Sequence, residues 1–102
     1  MYSRIAGTGR YLPAKVLTNA ELEKMVDTTD DWIVSRTGIS RRHISAPDET
    51  TSSMATEAAR KAMEMAGVAP ADIDFIAVGT TTPDFVFPNV ATLVQSLSLI
   101  HI

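Results

Sequence analysis

Apolar and polar residues follow a helical period most plainly between Thr51 and Ala66. Met54, Ala55, Ala58, Ala59, Ala62, Met63 and Ala66 share one face, and Ser53, Glu57, Arg60, Lys61 and Glu64 the other, which predicts an amphipathic helix closed by Gly67. A stripe made mainly of alanine lets such a helix lie close on a sheet or a partner helix, with its methionines as core filler. The run from Asp74 to Thr80 is short and almost continuously apolar, the pattern of a parallel strand buried on both faces. Ile5 to Leu12, with small residues at alternate positions and Pro13 closing it, predicts another strand. Gly7 and Gly9 there mark a close approach by a second backbone or a side chain. A last helix is predicted from Pro88 or Asn89 into Ala91, Leu93 and Val94.

Between these elements the helix-boundary signals are dense. Thr18-Asn19-Ala20-Glu21 is a capping-box pattern that opens a short helix through Glu23, Lys24 and Met25. Thr28 or Thr29 caps the next helix, Asp30 and Asp31 complement the positive end of its dipole, and Gly38 supplies the left-handed residue past its end. Ser40 to Ser45 is read as a short strand ending before Pro47, with His43 inside it. Helices and short apolar runs together give an α/β class.

Composition narrows the functions. The 102 residues, 45% hydrophobic, are enough for one small domain with a core. Nine basic against twelve acidic residues give a net charge of −3, so a broad nucleic-acid footprint is not expected. The absence of cysteine removes disulfides, thiolate metal sites and a cysteine nucleophile from these residues. No stretch has signal-peptide character or approaches the roughly 20 apolar residues of a membrane span, so no membrane partner and a cytoplasmic setting are expected.

The chemistry concentrates around Trp32, the single tryptophan, and Arg36, four residues on and therefore on the same helix face. An indole plane beside a guanidinium fork suits a flat heterocycle that carries a phosphate. The aspartates repel an anion from the start of this helix and leave the Arg36 to Arg42 side attractive. A Trp half-buried for packing, with its arginines in solvent, is the alternative reading. Gly7-x-Gly9 is not read as a dinucleotide loop, because Leu12 stands where a third glycine belongs and no long helix follows. His43 is read as structural, since no Asp, Glu or Cys accompanies it at ligand or relay spacing. Thr80, Thr81, Thr82, Pro83 and Asp84 follow the predicted strand at its carboxyl end, where open α/β sheets bind ligands, although such hydroxyls also satisfy loop backbone. Phe85 and Phe87 in a loop call for a partner surface or a ligand pocket.

Several of these segments together resemble a known family. Ile5-Ala6-Gly7-Thr8-Gly9 with Tyr11-Leu12-Pro13, Thr18-Asn19, Asp30-x-Trp32-Ile33-x-x-Arg36-Thr37-Gly38-Ile39, Arg42-His43, Thr81-Thr82-Pro83-Asp84 and Phe87-Pro88 are similar to the amino-terminal portion of the β-ketoacyl-acyl-carrier-protein synthases III. The resemblance implies an incomplete amino-terminal part of a thiolase-like layered fold, a mixed sheet with packed helices. It implies a decarboxylative Claisen condensation of an acyl-CoA with malonyl-acyl-carrier protein through a cysteine thioester, in a homodimer, without a covalently bound cofactor or a metal. It gives Trp32 the role of stacking on the CoA adenine, Arg36 a contact to the CoA nucleotide, Thr28 a polar place beside them, and Phe87 a wall of the partner protomer's acyl pocket. No catalytic residue carries over, because the family's cysteine, histidine and asparagine lie downstream and neither His43 nor His101 takes their place. A related condensing enzyme of polyketide or secondary metabolism and a non-catalytic CoA-binding or interaction module are the alternatives. The likeness covers Met1 to about Gln95, so residues 1–96 are expected to form the truncated domain. Leu97-Ser98-Leu99-Ile100-His101-Ile102 is expected to be a non-native tail, a translated adapter.

Overall fold

The computed structural model describes residues 1–100, which form two compact units, one of residues 12–48 and one of residues 1–11 with 49–100. His101 and Ile102, the end of the expected tail, lie outside the described residues.

In the unit of residues 12–48, β1 (Lys15–Thr18) leads directly into α1 (Asn19–Glu23), a loop leads to α2 (Asp30–Thr37), and β2 (Arg41–Ile44) returns antiparallel to β1. The register pairs Lys15 with Ile44, Val16 with His43, Leu17 with Arg42 and Thr18 with Arg41. Thr18 thus ends a strand and caps a helix, its hydroxyl accepting from the Glu21 N–H at 3.2 Å. Only this half of the expected capping box forms, because the Glu21 carboxylate meets the Thr18 hydroxyl instead of the cap's backbone N–H. The strand expected around His43 is present, and its partner β1 is an element the periodicity missed. The His43 Nδ1–H donates to the Pro13 carbonyl at 2.6 Å and ties the chain entry, where Pro13 is buried, to the ribbon.

The other unit is built on α3 (Thr51–Ala66), which packs against α4 (Val90–Ser98) and buries Val90 and Val94. Thr50 and Ser53 form a reciprocal capping box at 3.2 and 2.9 Å, and Gly67 closes the helix in the left-handed region at φ 69°. The Gly7–Gly9 segment lies directly on the alanine stripe. A Cβ at Gly7 would stand 2.8 Å from the Ala66 nitrogen and closer still to the Ala62 carbonyl. One at Gly9 would stand 2.5 Å from the Ala62 nitrogen and closer to the Ala58 carbonyl. The two glycines and the alanines therefore explain one another: each removes the side chain that would hold the two backbones apart.

The loop after Gly79 is pinned to the start of α3. Asp84 accepts from the Ser52 N–H at 2.8 Å and from the Ser52 hydroxyl at 2.6 Å, while the Thr51 hydroxyl donates to the Thr82 carbonyl. A carboxylate at a helix N-terminus meets unpaired N–H groups and the positive end of the dipole. The Ser52 hydroxyl is the main cause holding the Asp84 pKa below its ordinary value, against a smaller upward push from burial.

Two strand expectations are corrected. Residues 5–12 and 74–80 form no ladder, and the sheet among the described residues is the β1–β2 pair alone. A strand buried on both faces needs neighbours along its edges and cover on each side; neither is supplied here, and Phe75 is 83% exposed. The final helix starts where expected, capped by Asn89, whose Oδ1 accepts from the Thr92 N–H at 3.0 Å. It runs on through Leu97 and Ser98, Leu99 takes a left-handed conformation at φ 63°, and Ile100 is buried.

Placing a methyl group at Gly9 is expected to cost about 1–3 kcal/mol through overpacking against α3 backbone, read as a lower urea midpoint; an unchanged midpoint in Gly9→Ala would show that the segment does not lie on the helix. Because the folded Asp84 pKa is depressed, its contribution to stability is present above the ordinary carboxylate value of about 3.9 and is lost as pH falls through the folded value. Ser52→Ala is therefore expected to be destabilising at neutral pH, and its difference from the native chain to shrink on acidification below about pH 4, measured as urea midpoints across pH.

Candidate functional site

α2 owes its position to its own ends. The Thr29 hydroxyl accepts from the Trp32 N–H at 3.1 Å, which settles the cap on Thr29 and releases Thr28 from that duty. At the other end Gly38, at φ 71°, donates its N–H to the Val34 carbonyl at 2.8 Å. Ile33 is the residue α2 buries, so Trp32, about 100° away around the helix, is turned outward and is 55% exposed. One turn on, the Arg36 guanidinium lies over the Trp32 ring, 4.7 Å from its centroid, a cation–π contact worth about 0.5–1 kcal/mol at an exposed site.

A groove of about 510 Å³ opens beside this pair. Leu22 of α1, Val26, Asp27, Thr28 and Thr29 of the connecting loop, and Trp32 and Ile33 of α2 line it. The lining is mostly apolar with a few polar groups, as small-molecule sites are. Within it the Thr28 hydroxyl oxygen is shielded from water and has no hydrogen-bond partner. Such an orphan costs about 1–3 kcal/mol, which a polar partner would recover if a turn of the Thr28 side chain brought the hydroxyl to the groove.

The electrostatics are asymmetric along α2. Asp30 and Asp31 occupy its first turn and Arg36 its last, each matched to the dipole. Arg42 is used differently from the sequence expectation: its Nη2 donates to Asn19 Oδ1 at 2.7 Å and its Nη1 to the Leu17 carbonyl at 3.4 Å, so it braces the ribbon rather than facing an anion. Among the described residues the ion pair within 4 Å is Glu57–Arg60, leaving Lys15, Lys24, Arg36 and Arg41 as exposed cations of this unit without a carboxylate partner within that distance.

Thr28, Trp32 and Arg36 are thus brought to one place. Phe87 belongs to the other unit, where it stands 87% exposed beside Phe85 and Val86. Sequence reasoning met Asn19 only as part of the capping-box and family patterns and gave it no role of its own, whereas its side chain is buried and bonded to α2. Among the described residues no group of three His, Cys, Asp or Glu side chains could hold a metal ion, and no helix is long and apolar enough to cross a membrane.

No family model matches the chain. The β-ketoacyl-[acyl-carrier-protein] synthase III of Thioalkalivibrio sulfidiphilus is 61% identical over 100 residues, 98% of this chain and 31% of that protein. Among solved structures, the 3-oxoacyl-[acyl-carrier-protein] synthase III of Aquifex aeolicus superposes with a TM-score of 0.86 at 48% identity, over 96% of this chain and 32% of the other. The priming β-ketosynthase of a polyketide biosynthetic pathway superposes equally well, at 0.86, but at 38% identity and over 29% of its length. The thiolase-like α/β architecture expected from the sequence is the one these structures share with the chain. With identity this high along nearly all of its residues, the chain belongs to the β-ketoacyl-[acyl-carrier-protein] synthase III family, and it spans about 30% of the length of the relatives it matches.

Proposed function

We propose that this chain carries the nucleotide-binding groove of an acyl-CoA-dependent condensing enzyme. The observation that carries the reading is the unpartnered, buried Thr28 hydroxyl beside an exposed Trp32 ring that already holds the Arg36 guanidinium. The adenine of CoA stacks on the indole, a polar atom at its edge satisfies Thr28, and Arg36 attracts the nucleotide phosphates while Asp30 and Asp31 keep them from the other end of α2. The half-buried packing alternative accounts for a Trp32 that is 55% exposed and for an exposed Arg36, but not for the orphan hydroxyl.

The parent reaction follows from chemistry that the relatives' names imply. An acyl group passes from acyl-CoA to a cysteine thiol, releasing CoA. Malonyl-acyl-carrier protein then loses CO2, and the resulting carbanion attacks the thioester to give the β-ketoacyl-carrier protein and the free thiol. Because the 102 residues contain no cysteine, the thiol is supplied from outside them, and this chain alone is inactive. No covalent cofactor enters the scheme, Phe87 walls the acyl pocket of a partner protomer in a homodimer, and the setting is cytoplasmic; these belong to the same proposal. The greater identity to the synthases III than to the polyketide priming enzyme favours fatty acid initiation.

Titrating the chain with CoA is expected to quench the single Trp32 saturably. By calorimetry Trp32→Ala should weaken binding roughly 5- to 150-fold, the worth of about 1–3 kcal/mol of base stacking. Arg36→Ala should weaken it and flatten its salt dependence. No saturable signal up to millimolar CoA would sink the reading. Incubation with acetyl-CoA and malonyl-acyl-carrier protein is expected to release no CoA above background.

A further inference from the structure

Asn19 is 2% exposed, the largest fully buried side chain among the described residues, and a neutral amide is an unusual choice for such a place. Its Nδ2 donates twice, to Asp30 Oδ1 at 2.8 Å and to the Ile39 carbonyl at 2.8 Å. Asp30 is the first residue of α2, and Ile39 follows the Gly38 that ends it. One amide on the first turn of α1 therefore holds both ends of α2. Its Oδ1 accepts from Arg42 Nη2 at 2.7 Å, and its backbone N–H donates to the Ser40 carbonyl at 3.1 Å. Arg42 also fixes which way the amide faces. Turned over, the NH2 group would meet a guanidinium, which only donates, and the oxygen would meet two acceptors. Asparagine alone fits: aspartate lacks both donors, and glutamine is a methylene too long for a closed site.

We propose that Asn19 is a positioning residue for the Trp32 groove. The groove lies between Leu22 of α1, the loop residues Val26 to Thr29 that follow it, and Trp32 and Ile33 of α2, so its width follows the placing of α2 against α1 and its loop. Few other bonds set that spacing; Glu23 accepting from the Asp30 N–H at 2.6 Å is one. The clamp of Asn19 on both ends of α2 fixes where the Trp32 ring stands relative to the Thr28 hydroxyl, and thereby holds the site open in its binding geometry before a ligand arrives. The inference rests on the proposed function, in that CoA is taken as the ligand of the groove.

The test uses three variants of the full chain: Asn19→Ala, Asn19→Asp, and Asn19→Asp combined with Asp30→Asn. In Asn19→Asp two carboxylates face each other at hydrogen-bond distance, whereas the double variant returns an amide donor to that contact and an acceptor to Arg42. CoA affinity is expected to fall about tenfold in each single variant, with a changed near-UV circular dichroism of Trp32 and an unchanged far-UV spectrum. The double variant restores the contact at position 30 but not the donation to the Ile39 carbonyl, so it should recover part of the lost affinity, a rescue that loss of bulk packing would not give. Native affinity and native Trp32 signals in both single variants would overturn the proposal, and so would loss of helix content in all three, which would assign Asn19 to folding alone. If the native chain itself binds no CoA, the reading of the groove fails separately. The Trp32 near-UV signal then decides the matter: a shift in the single variants with recovery in the double one supports the clamp, and no shift overturns it.

Discussion

The order of residues 12–48 depends on a charge-polarised amide whose two N–H donors and carbonyl oxygen are all bonded. Arg42, Asn19 and Asp30 form a row in which a guanidinium donates to an amide oxygen and the amide donates onward to a carboxylate and to the Ile39 carbonyl. Opposite charges are joined through a neutral group instead of touching, so neither must be fully stripped of water to meet the other. The arrangement ties β2, α1 and α2 together with groups that accept no substitute partner. That is why a unit with so little apolar interior, where Ile33 is its buried hydrophobic residue, still presents a defined groove.

The other unit reaches definition by a different route, the removal of side chains. Gly7 and Gly9 lie on Ala58, Ala62 and Ala66, where any Cβ on the first partner would overlap the helix backbone. The loop ending at Asp84 is then held to the start of α3 by a carboxylate that takes both donors of Ser52. One contact is a close fit of surfaces and the other a charge placed against a dipole. Together they orient the segment that carries the exposed Phe85 and Phe87.

Charge placement links local structure to the proposed chemistry. The aspartates that stabilise the start of α2 also repel an anion from it, and the arginine that stabilises its end lies on the tryptophan face. A helix built for its own stability thus already carries a direction for a nucleotide to bind.

Much of this was legible in the chain because it depends on neighbours in sequence. The cap at Thr18, the cap read at Thr28 or Thr29, the start of the last helix near Asn89, the left-handed Gly38 and Gly67, the alanine stripe and the Trp32–Arg36 pairing are local, decided within a turn or two of helix. What the sequence left open was decided by partners far along it. Residues 5–12 and 74–80 have strand-like patterns, yet a ladder needs edges that the described residues do not offer them. Arg42 looked like part of an anion site until Asn19, 23 residues away, claimed it. The sequence by itself determined the helices, where they start and the residue types of the site, while the first helix stops at Glu23 rather than Met25 and the last runs on to Ser98. Tertiary structure alone decided that Thr28 would be left without a partner, that Asn19 would be buried and that the groove would stand open, because hydrogen-bond satisfaction is a property of what surrounds a group and not of its place in the chain.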